Sequence, residues 1–227
     1  MTVHFLNSST HAEYVKPATK QPYRVRSTYN RFVKRWIDVA LVVLAVLPIL
    51  PLIVLACVIV ALDGHNPFYS QIRIGRGGRQ FRIWKIRTMV PDADQALKTY
   101  LATNPAAKAE WDASQKLRHD PRITRIGVLL RKSSMDELPQ LWNVLTGSMS
   151  LVGPRPMMVS QKSLYPGRAY YALRPGITGP WQVSERNDSV FAGRAVFDDG
   201  YARNVSFVTD VRILFQTVGV VVRATGL

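Results

Sequence analysis

Asp136 and Glu137 stand side by side in the run Ser133-Ser-Met-Asp-Glu-Leu-Pro-Gln140, in a chain with 15 acidic residues against 30 Lys and Arg. Two roles are open to such a pair at a predicted helix start. Ser134 and Glu137 have the spacing of a capping box, with Asp136 favourably placed against the helix dipole. Taken alone, the octapeptide favours that reading. Its surroundings favour chemistry. Arg131 and Lys132 precede the pair, Arg155 follows in Val152-Gly-Pro-Arg-Pro156, and Lys85 and Arg87 lie upstream in Lys85-Ile-Arg-Thr-Met89. A carboxylate at a helix N-terminus stays ionised, as a nucleophile must, and arginines hold phosphate oxygens bidentately. A neighbouring carboxylate can hold Mg²⁺, whose usual ligands are carboxylate and phosphate oxygens. Asp136 attacking phosphorus while Glu137 anchors the metal makes a coherent site.

The remaining candidates are weaker as single motifs, because basic residues in strands and loops are usually solvated. Arg155 stands out among them: Pro154 and Pro156 fix φ on both sides and preorganise the side chain. Gly176-Ile-Thr-Gly-Pro-Trp-Gln182 supplies turns, a ring and an amide suited to a base or a sugar, although Trp181 is equally suited to core packing. His4, His11, His65 and His119 share no spacing and receive no role. The single Cys57 excludes an intramolecular disulfide and a cysteine-based zinc site.

Several elements must position these groups. Phe68–Met89 alternates apolar and polar residues on either side of Gly75-Arg-Gly-Gly78, a β-hairpin pattern. Ile72 and Ile74 are expected on one face, as are Phe81 and Ile83, with Arg73, Arg82 and Lys85 on the other. Pro91–Lys116 reads as two short helices parted at Asn104-Pro105, and Ser133–Leu145 as one helix. Ser150–Asp188 is dense in Gly and Pro, which means loops with defined turns. Phe207–Val222 is an apolar helix of either surface or core type.

Val39–Leu62 is different in kind: 24 residues without a charged or strongly polar side chain. As a helix it would reach roughly 36 Å, more than the roughly 30 Å hydrocarbon core of a bilayer. It starts late, is long, and has no small-residue cleavage site behind it, unlike a signal peptide. Both flanks are basic, Arg24 to Arg35 before it and Arg73 to Arg87 after it, and basic flanks favour the cytoplasmic side. A helix broken at Pro48 and Pro51, entering and leaving on one face, satisfies both flanks; a kinked span is the alternative. The expected organisation is a poorly ordered tail over 1–30, a membrane element over 31–64, and a cytosolic α+β domain over 65–227. The formal net charge of +15 attracts polyanions: nucleic acid, an anionic leaflet or phosphorylated substrates. A membrane-tethered nucleic-acid binder is disfavoured, because no basic recognition helix or paired aromatic signature is present. A non-catalytic scaffold would tolerate Asp136→Asn; an enzyme would not.

Read together, KRWIDV, IGRGGRQFRIWKIRTM, DPRITRIGVLLRKSSMDELPQLWNVLTGSMSLVGPRP and RPGITGPWQVSERND resemble the bacterial sugar transferases, or monotopic phosphoglycosyl transferases, from about Lys34 to Val218. The likeness is to the small, single-module form, and to the rhizobial exopolysaccharide galactose-1-phosphate transferases. Two local departures are visible. Leu50-Pro51 stands where many members carry Ser-Pro, and Gly179-Pro-Trp-Gln-Val183 where many carry Gly-Trp-Ala-Gln-Val. The resemblance implies a re-entrant helix at the cytoplasmic face of the bacterial inner membrane. It implies that Asp136 attacks the β-phosphate of a UDP-sugar and releases UMP, and that undecaprenyl phosphate then takes the phosphosugar. Glu137 would bind Mg²⁺, and Lys85, Arg87, Arg131 and Arg155 would neutralise phosphates. Gln182 and Asn187 are candidates for nucleotide or sugar contacts. UDP-galactose is the leading donor and UDP-glucose the alternative. No nucleic-acid partner is expected, and homo-oligomerisation is left open.

Overall fold

The apolar run forms one long helix, and the elements that follow build a small mixed α and β body against its two ends. The computed structural model describes residues 25, 27–114, 117–184 and 191–222. Of the tail expected over 1–30, residues 1–24 and 26 lie outside the described residues. Val25 and Tyr29 pack against a core cluster, and Ser27 Oγ donates to the Val205 carbonyl at 3.0 Å. A π-helical turn, Tyr29–Val33, leads into α1, Lys34–Ala61.

Helix α1 continues through Pro48 and Pro51, where the sequence predicts helix, break, helix. Each proline removes one donor and crowds the carbonyl four residues back, at Leu44 and Leu47. That bends a helix without having to end it. One face of each end of α1 is buried. Val42 joins Ile83, Val144 and Met149, while Ala56 and Val60 join Ile86 and Leu130. Between them Leu44, Leu47, Leu50, Leu52 and Leu55 are exposed. Tyr29–Ala61 is long and apolar enough to enter a membrane, with a mean hydropathy of 3.1 in its most apolar window, only 11 % of which is buried. A core helix of a water-soluble protein hides such a surface; this one presents it.

The base of α1 is pinned by polar contacts. Lys34 pairs with Asp210, which also accepts from the hydroxyls of Tyr29 (2.9 Å) and Tyr201 (2.6 Å). Asp38 accepts from Ser150 Oγ at 2.6 Å and from the Leu151 amide at 3.3 Å. Arg35 donates to the carbonyls of Val144 and Leu145, the last turn of a short helix described below.

Strands β1, Phe68–Ile74, and β2, Gln80–Ile86, form the expected hairpin, with Phe68 opposite Ile86 and Ile74 opposite Gln80. Its turn uses Gly77 and Gly78 at φ of 69° and 77°, where a Cβ would be strained. The faces differ from the expectation. Arg73 lies opposite Phe81 and Arg82 opposite Ile72, and opposed residues share a face. Arg73 and Lys85 are therefore on the Ile83 face, and Arg82 is on the other. Lys85 follows from the period of 2, which puts it with Ile83 in any register; the five-residue connection sets which face of β2 Arg73 shares, and alternation alone does not specify that.

Helices α2, Ala93–Thr103, and α3, Pro105–Ser114, part at Asn104-Pro105 as expected. After α4, Arg125–Lys132, the helix expected over Ser133–Leu145 is divided. A 3-10 turn, Met135–Glu137, precedes Pro139, and α5 is Gln140–Leu145. Strand β3, Ser150–Val152, leads to β4, Met157–Met158, which adds to the hairpin in the order β2-β1-β4. Helix α6, Ala169–Ala172, precedes β5, Gly176–Thr178, which pairs in parallel with β3. The Gly-rich loops here lie backbone on backbone: a Cβ on Gly179 would meet the Gly153 carbonyl oxygen at 2.0 Å. Helices α7, Pro180–Ser184, α8, Arg194–Asn204, and α9, Phe207–Val222, complete the described chain. Helix α9 buries Asp210 and Ile213 and leaves Phe207, Val208, Phe215, Val218 and Val222 exposed.

Candidate active site

The carboxylate pair sits in the 3-10 turn between α4 and α5. Ser134 has a φ of 57° and makes no side-chain cap, so the capping box is not formed. The turn is also too short for a helix dipole to keep Asp136 ionised; neighbouring cations must do that. Asp136 is buried, at 6 % exposed. Lys85, near the end of β2, places Nζ 2.7 Å from Glu137 Oε1 and 3.5 Å from Asp136 Oδ2, bridging both acids. Arg155, between β3 and β4, donates from Nη2 to Glu137 Oε1 at 3.3 Å.

Arg131 reaches the same region by a different route. Thr124 Oγ1 caps α4 by accepting from the Gly127 amide at 2.9 Å. A Cβ on Gly127 would sit 2.1 Å from the Thr88 carbonyl oxygen, so only glycine lets α4 lie this close to the chain leaving β2. That approach lets Arg131 Nε donate to Thr88 Oγ1 at 2.9 Å, with Asp136 within electrostatic reach. Burial pushes the Asp136 carboxyl above the usual carboxylate range. Lys85 opposes the rise, Glu137 adds to it, and Arg131 and Arg155 oppose it. The result is an acid with little hydration and cations on several sides.

Arg87 is directed elsewhere. Its Nε donates to the Asn66 carbonyl at 2.9 Å, and Nη2 to Asp63 at 2.6 Å and the Val60 carbonyl at 3.2 Å. It ties the end of α1 to the hairpin, a direction set by contacts more than 20 residues away in sequence. Gln182 is buried and lines a cleft of about 210 Å³ with Glu137, Arg155, Leu138, Leu141 and Val183. Among the described residues its Oε1 has no hydrogen-bond partner. Trp181 is a packing residue, buried with its ring against the Arg194 guanidinium. Asn187 lies outside the described residues. Reading residue types did not single out Thr88, although it lies in the Lys85–Met89 run, or Arg194, for which the sequence offers no local signal.

The donor set suits Mg²⁺. Among the described residues no three His, Cys, Asp or Glu converge, as an all-protein cage would need. Two adjacent carboxylates facing a basic pocket fit an ion that takes one or two acids and fills its shell with phosphate oxygens and water.

Buried Asp136 and half-buried Glu137 thus lie among Lys85, Arg131 and Arg155, beside the end of α1 where Met135 packs against Ala56 and Val60. The chain belongs to the bacterial sugar transferase family, whose sequence profile matches residues 29–224. It is 46 % identical over 199 residues to a UDP-galactose-lipid carrier transferase of Erwinia amylovora, covering 87 % of this chain and 42 % of that protein. It is 43 % identical over 196 residues to the exopolysaccharide production protein ExoY of Sinorhizobium fredii, covering 85 % and 87 %. It is 34 % identical over 206 residues to the UDP-glucose:undecaprenyl-phosphate glucose-1-phosphate transferase of Escherichia coli, covering 85 % and 40 %. The chain thus spans less than half the length of the Erwinia and Escherichia proteins.

Proposed function

We propose that this protein transfers a hexose 1-phosphate from a UDP-sugar to undecaprenyl phosphate, releasing UMP, as the first membrane step of exopolysaccharide assembly. The observation that carries the reading is the Asp136–Glu137 pair bridged by Lys85, with Arg155 on Glu137. Family membership and the names of the relatives support the same chemistry.

In the first step an Asp136 carboxylate oxygen attacks the β-phosphorus, and the bond from that phosphorus to the bridging oxygen breaks. UMP leaves with the electron pair, and the sugar phosphate stays on Asp136 as an acyl phosphate. In the second step a phosphate oxygen of undecaprenyl phosphate attacks the same phosphorus and the bond to Asp136 breaks. Lys85, Arg131 and Arg155 offset the charge of the incoming diphosphate, so catalysis is mainly positioning and charge neutralisation. Glu137 would hold Mg²⁺, which when bound supplies further neutralisation of phosphate charge. The cleft lined by Leu138, Leu141 and Val183 offers an apolar wall to the rest of a substrate. Galactose is the leading sugar, from the Erwinia relative, and glucose is the alternative, from the Escherichia one.

Helix α1 would enter and leave the membrane on the cytoplasmic face. Val42 shares a cluster with Ile83, and Val60 shares one with Ile86. Ile83 and Ile86 are about 10 Å apart along a strand. Val42 and Val60 would be about 27 Å apart on a straight helix. Anchoring both to one strand supports a bend at Pro48 and Pro51, with the exposed leucines at its tip in lipid and the active site at the membrane surface. The decisive experiment is UMP release by detergent-solubilised protein given undecaprenyl phosphate and, in turn, UDP-galactose, UDP-glucose and the UDP-N-acetylhexosamines. Release with one or more donors supports the reading; release with none overturns it.

A further inference from the structure

We infer that Arg194 is a positioning residue for Arg155, holding from behind the loop that carries it; its kinetic test rests on the proposed transferase reading. Arg194 opens α8 and is 4 % exposed. Its guanidinium lies between two rings, 5.1 Å from the Trp181 centroid and 5.0 Å from that of Phe191. From this slot Nη2 donates to the backbone carbonyl of Arg155. Asp198, one turn further along α8, favours its charge and itself accepts from the Tyr165 hydroxyl at 2.7 Å.

The neighbouring residues are held in the same manner. Arg73 Nη1 reaches the Pro156 carbonyl at 3.5 Å, and the Tyr170 hydroxyl accepts from the Met157 amide at 3.2 Å. Three consecutive residues therefore each have one backbone group tied to a side chain, from α8, β1 and α6 in turn. The loop needs such ties. Pro154 and Pro156 have no N–H to give, so carbonyls are the handles on offer. Packing between Trp181 and Phe191 alone would be met by an apolar side chain. A guanidinium, costly to bury, adds a directed donor aimed at the residue whose side chain reaches Glu137.

The test uses the full chain in detergent, with Arg194→Lys and Arg155→Ala made singly and together. UMP release from UDP-galactose with undecaprenyl phosphate is followed alongside amide exchange over residues 153–158. Lysine keeps the charge but loses the planar stack and the fork. Arg194→Lys is expected to lower kcat/KM about tenfold through a small displacement of Arg155. In the Arg155→Ala background it is expected to cost about twofold at most, because the two act as one unit. Exchange at Met157 and Met158 is expected to quicken. Equal losses in both backgrounds, or unchanged exchange, overturn the inference. If the wild-type protein releases no UMP with any donor, the transferase reading fails and exchange alone decides the clamp: faster in Arg194→Lys supports it, unchanged overturns it. If Arg194→Lys does not fold, Phe191→Leu, which removes one ring of the slot, is judged by the same readouts.

Discussion

At the scale of single residues, the proposed mechanism sets two opposed demands on Asp136: it must ionise to attack phosphorus, yet it is buried. Because burial raises its pKa in the folded state, the native protein binds that proton more tightly than the unfolded chain does. Its contribution to stability is thus fullest below the ordinary carboxylate range and is lost as pH rises through the raised value. Asp136→Asn removes that penalty, so at pH 7 it is expected to abolish UMP release while holding or raising the melting temperature. A large fall in melting temperature would count against the assignment. The same shift sets the pH profile. The acid limb of single-turnover UMP release should lie above the usual carboxylate value, and Lys85→Met, which removes the leading opposing charge, should move it further up. A limb unmoved by Lys85→Met would separate Lys85 from Asp136. Arg131 and Arg155 were legible as neighbours of two adjacent carboxylates in an acid-poor chain, whereas Lys85, 52 residues before Glu137, entered through the family resemblance. The direction of Arg87 was not legible, since it depends on Val60 and Asp63, which the fold alone brings near.

At the scale of elements, local punctuation was readable and register was not. Asn104-Pro105 parts α2 from α3, and the glycines close the hairpin, because both act through their own backbone. The face on which Arg73 points, and the division of the helix at Pro139, follow from turn length and from packing around the acid pair. The foot of α1 was equally hidden: Lys34 and Asp210 are 176 residues apart in sequence and meet in a buried pair. Lys34→Met would leave Asp210 with only neutral hydroxyl donors among the contacts described above. Unpairing a buried charge in this way is expected to cost about 3–5 kcal/mol, read as a lowered denaturation midpoint in detergent. Lys34→Met with Asp210→Leu should recover most of that loss. No recovery would mean that the pair is valued for its hydrogen bonds to Tyr29 and Tyr201.

At the scale of the molecule, composition made the apolar helix legible from the start, and its basic flanks and prolines pointed to an element entered from one side. Helix continuous through Pro48 and Pro51 belonged to the alternative reading, the kinked span, because a proline kink and a break leave the same mark in sequence. A cysteine at Arg31 and one at His65, in a Cys57→Ser background, are expected to label from the same face of sealed vesicles. Labelling from opposite faces would make α1 a span. The whole account turns on one covalent step. Incubated with the UDP-sugar that releases UMP, without undecaprenyl phosphate, the protein is predicted to gain one hexose phosphate on the peptide containing Asp136, seen by mass spectrometry. An adduct on another residue, or transfer to the lipid without any adduct, would contradict it.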